Sequence, residues 1–235
     1  MDKRSYYQDE KIVANYVHWR FGSAGGQYVD ATEKTTIIEL LGGQKDRRIL
    51  DMPCGTGRLL HALSEHGYRA IEGADASPAM LELAAAGLPD TLLREVDALQ
   101  TSYGDATFDC LCSLRFLFHL AEPERLFSEA SRLLKADGLF IFDSLNWTPR
   151  NAIPLLNRRL GGRLYPSSEF RLRQLLERQG FDVTAVRYVF LLPTQAYRAL
   201  PAWMVTAVCR LERWLPVNWR SKLFVAARKR ASVSR

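Results

Sequence analysis

No run of 18 apolar residues is free of charge, so the 235-residue sequence offers no segment for a membrane-spanning helix. The first ten residues are polar and charged and lack the apolar core of a secretory signal, so the expectation is a cytoplasmic protein. Cysteine is scarce. Cys54, Cys110, Cys112 and Cys209 stand at spacings that suit neither a disulfide framework nor a zinc site. Cys110 and Cys112 sit in an apolar run, where reduced, buried thiols are found. No segment repeats and none is of low complexity. What is present, 47% hydrophobic and 25% charged residues, is the composition of a globular protein, and the length suffices for one α/β domain over residues 1–235.

Charge is unevenly spread within the net +6. Residues 1–144 carry 15 Lys and Arg against 22 Asp and Glu, a net of −7, whereas 145–235 carry 17 against 4, a net of +13. Such asymmetry bears on partners rather than on fold. The basic half is either a solvated surface or a face for an acidic partner: a phosphate, a carboxylate, nucleic acid or a membrane.

Residues 1–46 read as helical, with a glycine-rich break over 22–26. Short apolar strands follow at 48–52, 69–75, 92–95, 108–113 and 138–144, separated by helical patterns at 57–65, 78–86 and 122–134. That alternation predicts an α/β fold with a parallel, doubly wound sheet and helices on both faces. Ligand sites in such sheets lie at the carboxyl ends of the strands. Residues 145–166, with Pro149, Pro154, Gly161, Gly162 and Pro166, form an irregular insertion. Ser167 or Ser168 caps a helix running to Gln179 and stopped by Gly180. A long strand at 181–192, a helical insertion at 193–221 and a last strand at 222–227 complete the pattern.

The segment Ile49-Leu50-Asp51-Met52-Pro53-Cys54-Gly55-Thr56-Gly57 joins a strand end, a tight glycine turn and a helix start. Glycines there admit a ligand close to backbone, and the helix start presents free N–H groups. A dinucleotide fingerprint needs a third glycine three residues after the second, where Leu60 stands. Asp51 at the strand end would repel a pyrophosphate and suits an ammonium. Asp75 closes the second strand 20 residues after Gly55, a position from which a carboxylate accepts both hydroxyls of a ribose. Asp97 ends the third strand and can accept from an adenine amine, with Ala98 and Leu99 flanking the ring. Each acid alone reads better as a solvated loop residue or helix cap. Three at successive strand ends point to an adenosine that carries an ammonium.

With these residues the chain resembles the class I S-adenosylmethionine-dependent methyltransferases, of the small-molecule kind grouped as types 11 and 25. The resemblance covers about residues 45–190. The run Asp51 to Gly57 is similar to the family's first motif, with Pro53 where glycine is commoner. Residues 108–113 resemble its fourth strand, and 132–140 the following helix, turn and fifth strand. The resemblance implies a Rossmann-like, seven-stranded sheet with an antiparallel final strand pair and helical insertions. It implies S-adenosyl-L-methionine as cofactor, held by Arg20, Asp51, Met52, Cys54, Gly55, Gly57, Asp75, Ala76, Asp97, Ala98 and Leu114. It also implies that helices within 1–46 lid the cofactor, Arg20 pairing with its carboxylate. The same stretch reads equally as a surface helix with one basic residue.

Displacement at a sulfonium methyl has a good leaving group, so proximity supplies much of the catalysis, while a hydroxyl nucleophile also needs a general base. His119, following the fourth strand, is the candidate base, histidine being the side chain that ordinarily titrates near neutral pH. Its alternative is a structural histidine at the cofactor's edge. Arg115 is a candidate for holding an acidic substrate or else a salt-bridge partner, and Asn146, Trp147, Tyr165 and Arg198 complete the candidate acceptor pocket. No metal is expected, because neither the fourth nor the fifth strand ends in an Asp followed by an Asp-Asn pair. The Asn/Asp-Pro-Pro-aromatic signature of base amino-group methylation is absent, and Cys54 lies in the first loop rather than after the fourth strand.

In 193–221 the apolar residues Tyr197, Leu200, Trp203, Met204, Val208, Leu211, Trp214 and Leu215 recur at spacings of 3 and 4, flanked by Arg198, Arg210, Arg213 and Arg220. Burial of one stripe is the first expectation, with the two insertions, 145–166 and 193–221, meeting over the strand ends as an acceptor pocket. The alternative is a helix resting on an anionic bilayer, which would leave the enzyme peripheral at the membrane. The function expected is therefore O-methylation of an anionic or amphipathic small molecule: a metabolite, a sugar or a lipid-linked intermediate. The competing readings are a nucleic-acid methyltransferase, which the basic half favours but no RNA-binding module supports, and a non-catalytic cofactor-binding regulator.

Overall fold

Apolar residues that alternate along short, mostly buried strands set the frame. In the computed structural model, residues 18–147 and 164–231 are described. Helix α1 (Ala24–Leu41) precedes β1 (Ile49–Asp51), α2 (Arg58–Glu65), β2 (Ile71–Asp75), α3 (Pro78–Gly87), β3 (Leu92–Glu95) and β4 (Phe108–Ser113). After a 3-10 turn at Leu117–His119 come α4 (Glu124–Leu133), β5 (Leu134–Leu145), α5 (Glu169–Arg178), β6 (Phe181–Val189), α6 (Thr194–Arg198), α7 (Ala202–Glu212) and β7 (Lys222–Lys229). The seven strands order as β3-β2-β1-β4-β5-β7-β6. The pairs from β3 through β5 are parallel, and β7 runs antiparallel to both β5 and β6. The α/β doubly wound sheet stands as the strand–helix alternation predicts, and the antiparallel final pair as the resemblance implies.

The period of two sorts each strand between two cores. Leu50, Leu111, Phe140 and Phe142 face one layer with Leu126, Phe127 and Leu176. Ile49, Cys110, Cys112 and Ile141 face the other with Ile37, Leu60 and Leu63. Cys110 and Cys112 are thus buried free thiols. Helix starts follow their caps. Ser23 accepts from Gly26 N at 3.1 Å, Ser77 accepts from Met80 N at 3.3 Å, and Ser168, not Ser167, accepts from Arg171 N at 3.3 Å.

Two expectations are corrected here. The glycine-rich break is confined to Gly22 and Ser23, and Gly25 and Gly26 belong to the first turn of α1. Their small size serves packing: a Cβ on Gly25 would stand 1.7 Å from the Tyr197 carbonyl oxygen. The apolar stripe of 193–221 is divided. Tyr197 and Val205 are buried with Val29 and Phe190 in a third cluster, whereas Trp203, Leu211 and Trp214 are exposed. Pro201 lies between α6 and α7, so the helical phase restarts and spacing counted across it does not define one face.

Candidate active site

The carboxyl ends of β1 to β4 enclose a cavity of about 520 Å³. Asp51, Cys54, Gly55, Asp75, Ala76, Asp97, Ala98 and Leu114 line it, together with Arg115 and His119. The loop after β1 turns through Gly55 (φ 53°) and Gly57 (φ 73°), and Gly57 caps α2. Gly57 is not on the cavity wall. A Cβ there would press at 3.1 Å on Ala84 of α3, so its role is to let α2 and α3 approach. Met52 is also off the wall, fully buried in the core.

Asp75 is fastened before any ligand arrives. Its Oδ2 accepts from Gly55 N at 2.8 Å and its Oδ1 from Ser77 N at 2.9 Å. Burial raises its pKa, and the amides offset part of that rise. Asp97 stands exposed on the rim, its Oδ1 accepting from Leu99 N at 3.0 Å. Burial pushes the Cys54 thiol far up, with Asp51 and Asp75 adding to it, so this sulfur stays protonated and is no nucleophile.

Asp51 is the group in need of a partner. It is buried, and its Oδ1 has no hydrogen-bond partner among the described residues. Burial holds its pKa well above the usual range, Arg58 lowers it and Asp75 raises it further. Because the folded pKa exceeds the unfolded one, the charged form is the destabilising one. Stability of the ligand-free protein is greatest below the ordinary carboxylate range and falls as pH rises toward the folded pKa. Asp51→Asn is therefore expected to raise the melting temperature of the ligand-free protein at neutral pH and to flatten that slope. Thermal melts across pH check this, and a lower melting temperature would contradict it.

Beneath the wall lies a charge cluster organised by Glu33 of α1, which no sequence signal above selects. Glu33 is fully buried. Its Oε1 accepts from Arg115 Nη2 at 2.9 Å and from Lys222 Nζ at 2.6 Å. Its Oε2 accepts from Arg115 Nε at 3.0 Å and from Arg58 Nη2 at 2.8 Å. Arg58 also pairs with Asp30, and Lys222 with Asp143. Asp143 Oδ1 takes the backbone N–H of Arg115 at 2.5 Å, which holds Arg115 in a left-handed conformation (φ 56°). Burial alone would raise the Glu33 pKa, but Arg115, Lys222 and Arg58 outweigh it and hold the carboxylate well below its usual range. Arg58 and Arg115 also lie over the Phe21 ring, at 4.5 and 5.1 Å. A carboxylate at position 33 in the buried row Val29, Glu33, Thr36, Ile37 was the available clue.

Two candidate substrate residues, Arg115 and Asn146, have side chains held by other groups of the protein. Arg115 touches the cavity, but its guanidinium is committed to Glu33 in a two-pronged pair. Asn146 ties the end of β5 to the close of the second insertion, its Nδ2 donating to Asn218 O at 3.0 Å and Arg220 O at 2.8 Å. Arg198 and Arg20 lie against the Trp19 ring, at 4.1 and 5.8 Å, off the wall that was to hold them. Trp147 is exposed, with its N–H donated to Ser167 O at 3.2 Å. Tyr165 stands beside the His119 turn, its N–H donated to Phe118 O at 2.8 Å. The His119 ring is 4.6 Å from that of Phe118. The second insertion does stand at the carboxyl edge, between β6 and β7, but it packs on α1. Of the described residues that line the cavity, none comes from 193–221. The centre of the first insertion and residues 1–17, with Tyr16 of the expected lid, lie outside the described residues. Among the described residues no group of His, Cys, Asp and Glu could hold a metal ion.

Residues 50–142 match the family described as a methyltransferase domain. A ubiquinone biosynthesis O-methyltransferase of Alkalilimnicola ehrlichii is 30% identical over 120 residues, 49% of this chain and 48% of that protein. The chain thus spans about half the length of that relative, and of one from Paracidovorax citrulli that is 33% identical over 122 residues. Two solved structures share the fold across almost the whole chain. A S-adenosylmethionine-dependent methyltransferase of Thermotoga maritima has a TM-score of 0.70 at 16% identity, covering 96% of this chain and 99% of its own. Magnesium protoporphyrin IX methyltransferase of Synechocystis PCC 6803, with bound S-adenosylhomocysteine, has 0.66 at 16%, covering 96% and 97%. The family match over 50–142, the shared fold and the acid-lined cavity at the strand ends make this chain similar to the class I S-adenosylmethionine-dependent methyltransferases.

Proposed function

We propose that the chain transfers a methyl group from S-adenosylmethionine to an oxygen of an acidic or amphipathic small molecule. The observation that carries the cofactor part is the unpartnered, buried Asp51 oxygen on the wall of a cavity that also presents Asp75 and Asp97. Asp51 accepts from an ammonium, which satisfies the oxygen and brings its pKa down. Each Asp75 oxygen accepts from a loop amide and keeps a second lone pair for a ribose hydroxyl. Asp97, with Ala98 and Leu99, closes the adenine end. S-adenosylmethionine supplies, when bound, a methyl on a sulfonium that leaves as a neutral thioether. The chain's own contribution is then alignment, exclusion of water by Leu114, Phe116 and Leu120, and removal of the acceptor's proton by His119. The oxygen acceptor is supported by the likeness to the ubiquinone biosynthesis O-methyltransferases of Alkalilimnicola ehrlichii and Paracidovorax citrulli.

Titration calorimetry tests the cofactor. S-adenosylmethionine and S-adenosylhomocysteine are expected to bind and a nicotinamide dinucleotide is not. At 100-fold excess over the dissociation constant the gain in stability is about 2.7 kcal/mol. Asp75→Ala is expected to weaken binding and, since Asp75 also fastens Gly55, to loosen the loop. Binding of the dinucleotide in place of both would overturn the reading. Acceptor class is tested by labelled methyl transfer to lysate fractions divided into lipids, nucleic acids and small molecules. Label entering nucleic acid alone would replace the acceptor proposed.

A further inference from the structure

Helix α7 and the turn after it present an apolar face to solvent. Trp203, Ala207, Leu211 and Trp214 recur at spacings of 4, 4 and 3, and the backbone stays helical through Arg213, with Trp214 N donating to Leu211 O at 3.1 Å. Trp203 is 71% exposed and Trp214 87%, and Val217 and Trp219 in the next turn are exposed as well. A lone exposed apolar residue is ordinary, but so many within one short segment mark a contact surface. The opposite face of α7 is already used: Val205 is buried and Val208 and Cys209 pack beside Tyr197 and Phe190.

The charge of this face selects its partner. Arg210 and Arg213 are exposed on it. The single acid of 193–221, Glu212, is turned inward, accepting from Tyr197 OH at 2.6 Å and Leu191 N at 2.7 Å. Outward there is tryptophan, leucine and arginine with no carboxylate. Tryptophan and arginine straddle an apolar–polar boundary favourably, and cations favour a negatively charged one. No helix among the described residues is long and apolar enough to cross a membrane.

We propose that the face formed by Trp203, Leu211, Trp214, Val217 and Trp219, with Arg210 and Arg213, rests on a bilayer that contains anionic lipids. The inference does not depend on which acceptor is methylated. Nucleic acid suits it less well, because the exposed apolar area outweighs the arginines.

Flotation of the full chain with vesicles tests it. The chain is expected to float with vesicles of phosphatidylglycerol mixed with phosphatidylcholine, and far less with phosphatidylcholine alone. Joint replacement Trp203→Glu, Leu211→Glu and Trp214→Glu is expected to reduce binding about tenfold or more while cofactor binding by calorimetry is unchanged. Arg210→Gln and Arg213→Gln are each expected to weaken binding about fivefold on the anionic vesicles only. Failure of the chain to float on either vesicle, or equal flotation of the triple variant, would overturn the proposal. So would a dimer in sedimentation velocity that the triple variant dissolves, which would make a second copy the partner, or retention of RNA lost in the same variant.

Discussion

Replacing Glu33 with alanine is expected to lower the unfolding free energy by about 3–5 kcal/mol, because it strands cations inside the protein. Arg115, Arg58 and Lys222 converge on this one carboxylate, and Lys222 and Glu33 are both almost wholly buried. Removing the anion leaves Asp143 and Asp30 to balance three cations. Denaturant melts measure the loss, and for a chain of this size it corresponds to a melting temperature lower by about 10 °C or more. If the alanine variant does not fold, the cycle of Glu33→Gln and Lys222→Met keeps the question answerable. Strong coupling of the two changes is expected, and simple additivity, or an alanine variant within about 1 kcal/mol of the parent, would show that the cluster is solvated and weak.

His119→Ala is expected to reduce kcat by about 10²–10⁴-fold, the usual worth of a general base, with the cofactor's dissociation constant changed only a few-fold. The geometry behind this is the placing of His119 on the cavity wall, on the turn after β4, with Tyr165 beside it. Turnover must be followed with an identified acceptor, and affinity by calorimetry. Parallel loss of rate and cofactor affinity would make His119 part of the cofactor wall.

The acids at the strand ends were legible because local rules place them. A short apolar strand must end where its glycine turn begins, so Asp51, Asp75 and Asp97 fall at one edge of any parallel sheet built from that order. The strand alternation in Leu50, Leu111 and Phe140 against Ile49, Cys110 and Ile141 likewise follows from a period of two. The Glu33 cluster obeys no local rule. Its cations come from positions 58, 115 and 222, brought together only by the sheet order, so Arg115 read in isolation offered substrate binding and ion pairing as equal choices. The second insertion misled for a simpler reason. A period counted through Pro201 joins two helices of different phase and so runs a buried stripe into exposed tryptophans.

The Glu33–Lys222 contact spans 189 residues of chain. It forms with a strand made late and placed in the middle: β7 lies between β5 and β6 in the sheet. While the chain emerges from the ribosome, β5 and β6 have no strand to join them, and their facing edges present unpaired backbone beside Phe140 and Phe142. Arg58 and Arg115 meet Glu33 over that interval without the lysine. Such contacts are slow to form, and open edges recruit other chains. Resistance to protease should therefore arrive late in synthesis and abruptly, once β7 has threaded into its gap, and a nascent chain arrested ahead of residue 222 is the form most in need of a chaperone.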